Sequence, residues 1–215
     1  MMDRFWLLTW TIYGSWLPGD ARGFVSEVRD EEGDKVLHNE PGTPYDADLP
    51  SLARYAASRM TEDGVVLNRA QAEAIALQLR ETAEHRGWRL LGLAVMANHI
   101  HVLAGVPGDP DPEKLLGDFK AWCTRRLNQG WGGRDRWWTQ SGSRRRKKTA
   151  DALRAALCYV RDQPYALVVW LDPEGLAWIN EPASAAAHEA SAAAHEASAA
   201  AHEASAAASA RRSDE

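Results

Sequence analysis

The chain has 215 residues, of which 45% are hydrophobic and 26% charged, with 10 Trp and a formal net charge of −5. That is enough apolar material for a folded core, which excludes a wholly disordered chain; one domain is the expectation. Two cysteines, Cys123 and Cys158, exclude a disulfide framework and a four-thiolate zinc site, and free thiols suit a cytoplasmic location.

The start of the chain, Met1 to Trp10, carries Asp3 and Arg4 and a short apolar run, which fits neither a signal peptide nor a lipid-spanning helix. Phe5 to Tyr13, rich in Trp, Leu, Thr and Ile, predicts a strand. Residues 14–64, with many Gly, Pro and Asp, read as a long acidic surface insertion with short elements of its own. Asn68 caps a predicted helix to about Arg86, with Ala72, Ile75, Ala76 and Leu79 at helical spacing. Trp88 to Met96 reads as a central strand, and His99 to Val106 as a second one after a tight turn at Ala97-Asn98. Pro112 opens a helix to about Asn128. A Trp-rich loop follows, and then a helix from about Ala150 to Gln163, stopped by Pro164. Leu167 to Leu171 is a short strand candidate. The order fits a βαββαβ pattern, a small sheet with helices on one face, an α+β sandwich of the ferredoxin-like or RRM-like kind, with an added helix carrying Tyr159.

Charge is unevenly spread. Lys114 to Tyr165 holds 13 Lys/Arg against 4 Asp/Glu, whereas Asp20 to Gly64 holds 11 Asp/Glu against 5 Lys/Arg. The run Arg144-Arg145-Arg146-Lys147-Lys148 reads either as the solvated start of a helix or as a phosphate-binding patch. Residues 183–215 are different again: Ala-Ser-Ala-Ala-Ala-His-Glu repeats at 183–189, 190–196 and 197–203. The seven-residue period contains no Leu, Ile or Val, so it offers no coiled-coil seam and reads as a low-complexity tail. The domain reading is therefore 1–182, then tail.

Outside that tail the histidines are His38, His85, His99 and His101. His99 and His101 lie two apart on one predicted strand, hence on one face, with Ile100, Val102, Ala104 and Val106 on the other. Two such imidazoles suit a shared divalent ion, although a strand histidine is commonly a half-buried polar residue. In the later helix Leu153, Ala156, Leu157 and Val160 form the buried stripe, flanked by Tyr159 and Gln163 four apart. A tyrosine there can simply pack. Gln163 brings a neutral oxygen suited to a hard cation.

Three stretches together resemble the HUH single-tyrosine transposases, which include insertion-sequence transposases and REP-associated tyrosine transposases. They are Met96-Ala-Asn-His-Ile-His-Val-Leu103, Tyr159-Val-Arg-Asp-Gln-Pro164 and Trp138-Thr-Gln-Ser-Gly-Ser-Arg144. The opening Leu8-Thr-Trp-Thr-Ile-Tyr-Gly-Ser-Trp-Leu-Pro-Gly19 resembles the first strand and loop of a subset. The acidic insertion and the repeat tail depart from the family pattern, and neither removes a motif residue.

The resemblance implies a DNA transposase that cleaves and rejoins single-stranded DNA through a 5′-phosphotyrosine on Tyr159. It implies Mg²⁺ or Mn²⁺ on His99, His101 and Gln163, because an ordinary phenol is a weak nucleophile near neutrality. DNA with hairpin or palindromic ends would lie over the histidine face. Lys120, Arg125, Arg126, Arg144, Arg145, Arg146, Lys147 and Lys148 would hold phosphates there. Trp131, Trp137 and Trp138 would stack on bases or pack in the core. Family members act as homodimers with the tyrosine helix swapped, or as monomers. The alternatives are a domesticated, non-catalytic single-stranded nucleic-acid-binding module of the same fold and a metal-dependent hydrolase using the histidine pair. Tyr159→Phe separates all three.

Overall fold

The computed structural model describes residues 2–20, 26–29, 35–38 and 49–173. In chain order they form β1 (Arg4–Thr11), β2 (Ser26–Arg29), β3 (Lys35–His38), α1 (Pro50–Ser58), α2 (Arg69–His85), β4 (Arg89–Val95), β5 (His99–Val106), α3 (Pro112–Trp131), β6 (Ser143–Lys147), α4 (Ala150–Arg161) and β7 (Val168–Leu171). The repeat tail lies outside the described residues.

Contacts divide the described residues into two units, one of 2–15 with 64–173, the other built on 16–63. The second carries β2, β3 and α1. There β2 pairs antiparallel with β3, from Ser26↔His38 to Arg29↔Lys35. Ahead of α1 the Leu49 N–H donates to the Gly19 carbonyl at 3.2 Å.

The first unit is a five-stranded sheet in the order β6-β1-β5-β4-β7, with every neighbouring pair antiparallel. Taken as β1-α2-β4-β5-α3-β6, the chain follows a βαββαβ order closed by β6 rather than by the expected strand at Leu167–Leu171, which as β7 extends the sheet beyond β4. Local chemistry sets the helix starts. Asn68 and Gln71 form a reciprocal capping box on α2. Asp111 and Pro112 open α3, and the Thr149 hydroxyl accepts from the Ala152 N–H at 3.1 Å to open α4.

Two departures from the sequence reading matter for the site. The run at 144–148 is not the start of a helix. Ser143–Lys147 is an edge strand, paired with β1 from Phe5↔Lys147 to Thr9↔Ser143. An edge strand exposed on both faces needs no apolar alternation, and charge there discourages further strand pairing. The helices, moreover, lie on both faces. On one, α2 and α3 bury Ile75, Leu79, Leu116 and Phe119 against Leu8, Trp10, Ile100 and Val102. On the other, α4 buries Leu153, Leu157 and Val160 against Leu7, Leu91 and Leu103. At roughly 1.5–3 kcal/mol for each large apolar side chain buried, the α4 stripe alone holds that helix on the sheet.

Candidate active site

Strand alternation decides what lies beneath α4. Residues 100, 102, 104 and 106 of β5 point into the α2/α3 core, so His99 and His101 point to the α4 side. Register extends this into a row across the sheet: Val169, Ala94, His101, Thr9 and Ser143 are successive partners in β7, β4, β5, β1 and β6. A two-residue turn, closed by the Met96 N–H to the His99 carbonyl at 2.9 Å, sets His99 at the start of β5.

The two rings lie edge to face with centroids 4.8 Å apart. His101 is 3% exposed. Its Nδ1 is 2.7 Å from the Thr9 hydroxyl oxygen, and its Nε2 is 3.3 Å from the phenol oxygen of Tyr159. The Tyr159 ring stands edge to face on His101 at 4.9 Å. Nδ1 of His99 is 2.7 Å from Oδ1 of Asn98. Burial, and then the neighbouring His99, pull His101 down to about 3, and burial also lowers His99. Both imidazoles are therefore neutral at pH 7, the form that ligates metals or accepts a proton.

Gln163 is not on the helix. α4 ends at Arg161, Asp162 caps it, and the Gln163 side chain folds back so that its amide nitrogen donates to the Tyr159 carbonyl at 3.0 Å. It stands at the tyrosine end of α4, without a hydrogen bond to either histidine. Among the described residues no three His, Cys, Asp or Glu side chains cluster as a metal set. A metal here would rest on two imidazoles and an amide oxygen. That donor set fits a divalent ion with open positions, and its nitrogen content suits Mn²⁺ at least as well as Mg²⁺.

The basic residues separate by face. Arg145 and Lys147 pair with Leu7 and Phe5, on the α4 side; Arg144 and Arg146 pair with Leu8 and Trp6, on the other. Arg144 forms an ion pair with Glu113. Partial burial, and then Arg145, lower Lys147, consistent with two adjacent cations on one strip. Lys148 is exposed just past β6. Lys120 serves the fold: burial pushes it down to about 8, so its ammonium persists at pH 7, and it donates to the carbonyls of Thr139, Gln140 and Ser141. Arg126 pairs with Glu81 at 3.4 Å, and Arg125 lies over the Trp122 ring at 4.7 Å. Trp137 is 2% exposed and donates to Asn128 Oδ1 at 2.6 Å, so it packs in the core with no face open to a base. Trp138 is half-buried, and its indole N–H donates to the Lys120 carbonyl and the Thr124 hydroxyl. Trp131, 40% exposed, keeps an open face.

Thr9 and Asn98 are the site residues that the sequence reading did not single out. Asn98 stands within the histidine motif. For Thr9 the signal is the alternation Leu8-Thr9-Trp10-Thr11, which sets two threonines on one face of β1.

Residues 60–144 match the family described as "Transposase IS200 like". The matched segment is less than half of the chain and holds both histidines but not Tyr159. No curated protein matches the sequence. Among solved structures, that of a REP-associated tyrosine transposase bound to a REP hairpin superposes with a TM-score of 0.39 at 10% identity, covering 77% of this chain and 77% of that one. A putative transposase from Deinococcus radiodurans R1 superposes with a TM-score of 0.40 at 16% identity, covering 76% of this chain and 93% of that one. Those superpositions are loose, and no functional assignment rests on them. Over residues 60–144, the segment that carries both histidines, the chain is similar to the IS200-like transposases.

Proposed function

We infer that the chain cleaves and rejoins single-stranded DNA, with Tyr159 as the nucleophile. The observation that carries the reading is the convergence of Tyr159 from α4 on His101 from β5, with His99 beside it. The Tyr159 oxygen would attack a backbone phosphorus. A phosphorus–phenol oxygen bond forms, the bond to the 3′ oxygen breaks, the phenol gives up its proton and the 3′ oxygen takes one up. The product is a 5′-phosphotyrosine and a free 3′-hydroxyl. The transfer is nearly isoenergetic in bond type, so a second 3′-hydroxyl reverses it without a nucleotide cofactor. Mg²⁺ or Mn²⁺ bound by His99, His101 and the Gln163 Oε1 would supply polarisation of a nonbridging phosphate oxygen.

The chain's own residues do the rest. Packing of Leu153, Leu157 and Val160 fixes α4 and hence the phenol. Arg145 and Lys147, on the same sheet face, would hold phosphates of the strand. The partner of this reading is a hairpin-ended single-stranded DNA, as the resemblance of the histidine and tyrosine motifs implies. Monomer and homodimer remain as the two assemblies the family implies; in this chain α4 packs on its own sheet.

The test is a denaturing gel. Labelled single-stranded oligonucleotides copied from DNA flanking the gene are incubated with the protein and Mn²⁺ or Mg²⁺. A metal-dependent, SDS-resistant band that Tyr159→Phe and His101→Ala both abolish is the expected result. Retention in a native gel with no covalent band identifies a non-catalytic binder instead.

A further inference from the structure

We propose that Thr9 and Asn98 are positioning residues that hold His101 and His99 in the Nδ1–H tautomer, so that each ring keeps its Nε2 lone pair for the site. The proposal rests on the metal-site reading above, but its physical basis is the hydrogen bonding of the metal-free chain. Asn98 Oδ1 is an acceptor only, so the 2.7 Å contact requires His99 Nδ1 to carry the proton. An imidazole protonated at Nδ1 and neutral has its lone pair at Nε2.

His101 lies between two hydroxyls. Thr9 is 2.7 Å from Nδ1 and Tyr159 is 3.3 Å from Nε2. A phenol is the stronger donor and poorer acceptor of the two hydroxyl types. The matched arrangement has Tyr159 donating to Nε2 and Nδ1–H donating to Thr9. An unconstrained histidine side chain favours the opposite tautomer, Nε2–H, so without these partners each ring would have to shift its proton before binding an ion there. Two unrelated pieces of chain make the same correction: Asn98 from the β4–β5 turn, and Thr9 from β1, 92 positions from its histidine. Outer partners of this kind are worth about 10- to 100-fold in metal affinity.

The test is long-range ¹H–¹⁵N correlation of the full-length, histidine-labelled, metal-free protein, paired with Mn²⁺ titration. In the unmodified protein His99 and His101 should both show the Nδ1–H pattern. Thr9→Val, nearly isosteric on a strand, should move His101 toward Nε2–H and weaken Mn²⁺ binding about 10- to 100-fold. Thr9→Ser should restore both, and Asn98→Leu should do to His99 what Thr9→Val does to His101. Should Thr9→Val not fold, the spectrum of the unmodified protein decides. An Nε2–H pattern on either ring there, or an unchanged His101 tautomer in folded Thr9→Val, overturns the proposal. Nδ1–H on both rings with no Mn²⁺ binding overturns the metal-site reading and leaves the tautomer assignment standing.

Discussion

The phenol oxygen of Tyr159 lies 3.3 Å from Nε2 of His101, a contact made across 58 positions of sequence. It joins the proposed nucleophile to one of its proposed metal ligands through the nitrogen that an ion would use. A metal bound by that nitrogen would therefore compete with the phenol for one lone pair. In the metal-free chain the phenol lies against that nitrogen; an ion held there would leave the phenol free to face substrate. Tyr159→Phe should abolish covalent capture yet bind Mn²⁺ more tightly. A neutral hydrogen bond is worth about 0.5–1.5 kcal/mol net, which sets the gain at about 2- to 10-fold. Calorimetric titration of both proteins measures it; equal or weaker binding by the variant refutes the competition.

Acid should destabilise the fold through His101. Its pKa is about 3 folded against 6.5 unfolded, so between those values the unfolded chain binds a proton that the folded one does not. Its contribution to stability is complete above about pH 6.5 and is lost as pH falls toward 3. Urea midpoints of the metal-free protein should drop over this window, and less steeply in His101→Gln, which has no proton to gain. Parallel curves would contradict the assigned burial.

The basic edge strand should divide by face. Arg145→Ala and Lys147→Ala should weaken single-stranded DNA binding and each flatten the dependence of log K on log salt by about 0.7. Arg144→Ala, which removes the partner of Glu113, should change the slope little. Fluorescence anisotropy of a labelled oligonucleotide across a salt series distinguishes the two groups.

Trp137 should behave as a core residue. Trp137→Ala should cost about 3–5 kcal/mol of stability by denaturant unfolding, the range for a large aromatic removed from a core. The fraction still folded should retain its DNA affinity. Loss of affinity at unchanged stability would instead make the indole a base-stacking platform.

Much of this was legible in the sequence because it depends on local periodicity. The period of two places His99 and His101 on one face whatever the tertiary fold, and Ile100, Val102, Ala104 and Val106 are found opposite them. Asn68 caps α2 as its side-chain chemistry dictates. Ser143–Lys147 was not legible, because five polar residues on an exposed edge carry no alternation and become a strand only through pairing with β1. The same limit applies to the cations: which face Arg144 or Arg145 takes follows from register. Thr9 as a partner of His101 is a long-range relationship with no local signature. Gln163 could be placed near Tyr159 by spacing. Spacing did not show that the helix stops at Arg161 and that the side chain returns to the Tyr159 carbonyl.

Covalent attachment of DNA to Tyr159 is the central claim, and peptide mapping tests it directly. The protein is incubated with single-stranded oligonucleotide and Mn²⁺, denatured, digested with nuclease and trypsin, and analysed by mass spectrometry. The account predicts a nucleotide phosphate on the peptide containing Tyr159, present only with metal. Cleaved DNA with no adduct, or an adduct on another residue, would contradict it.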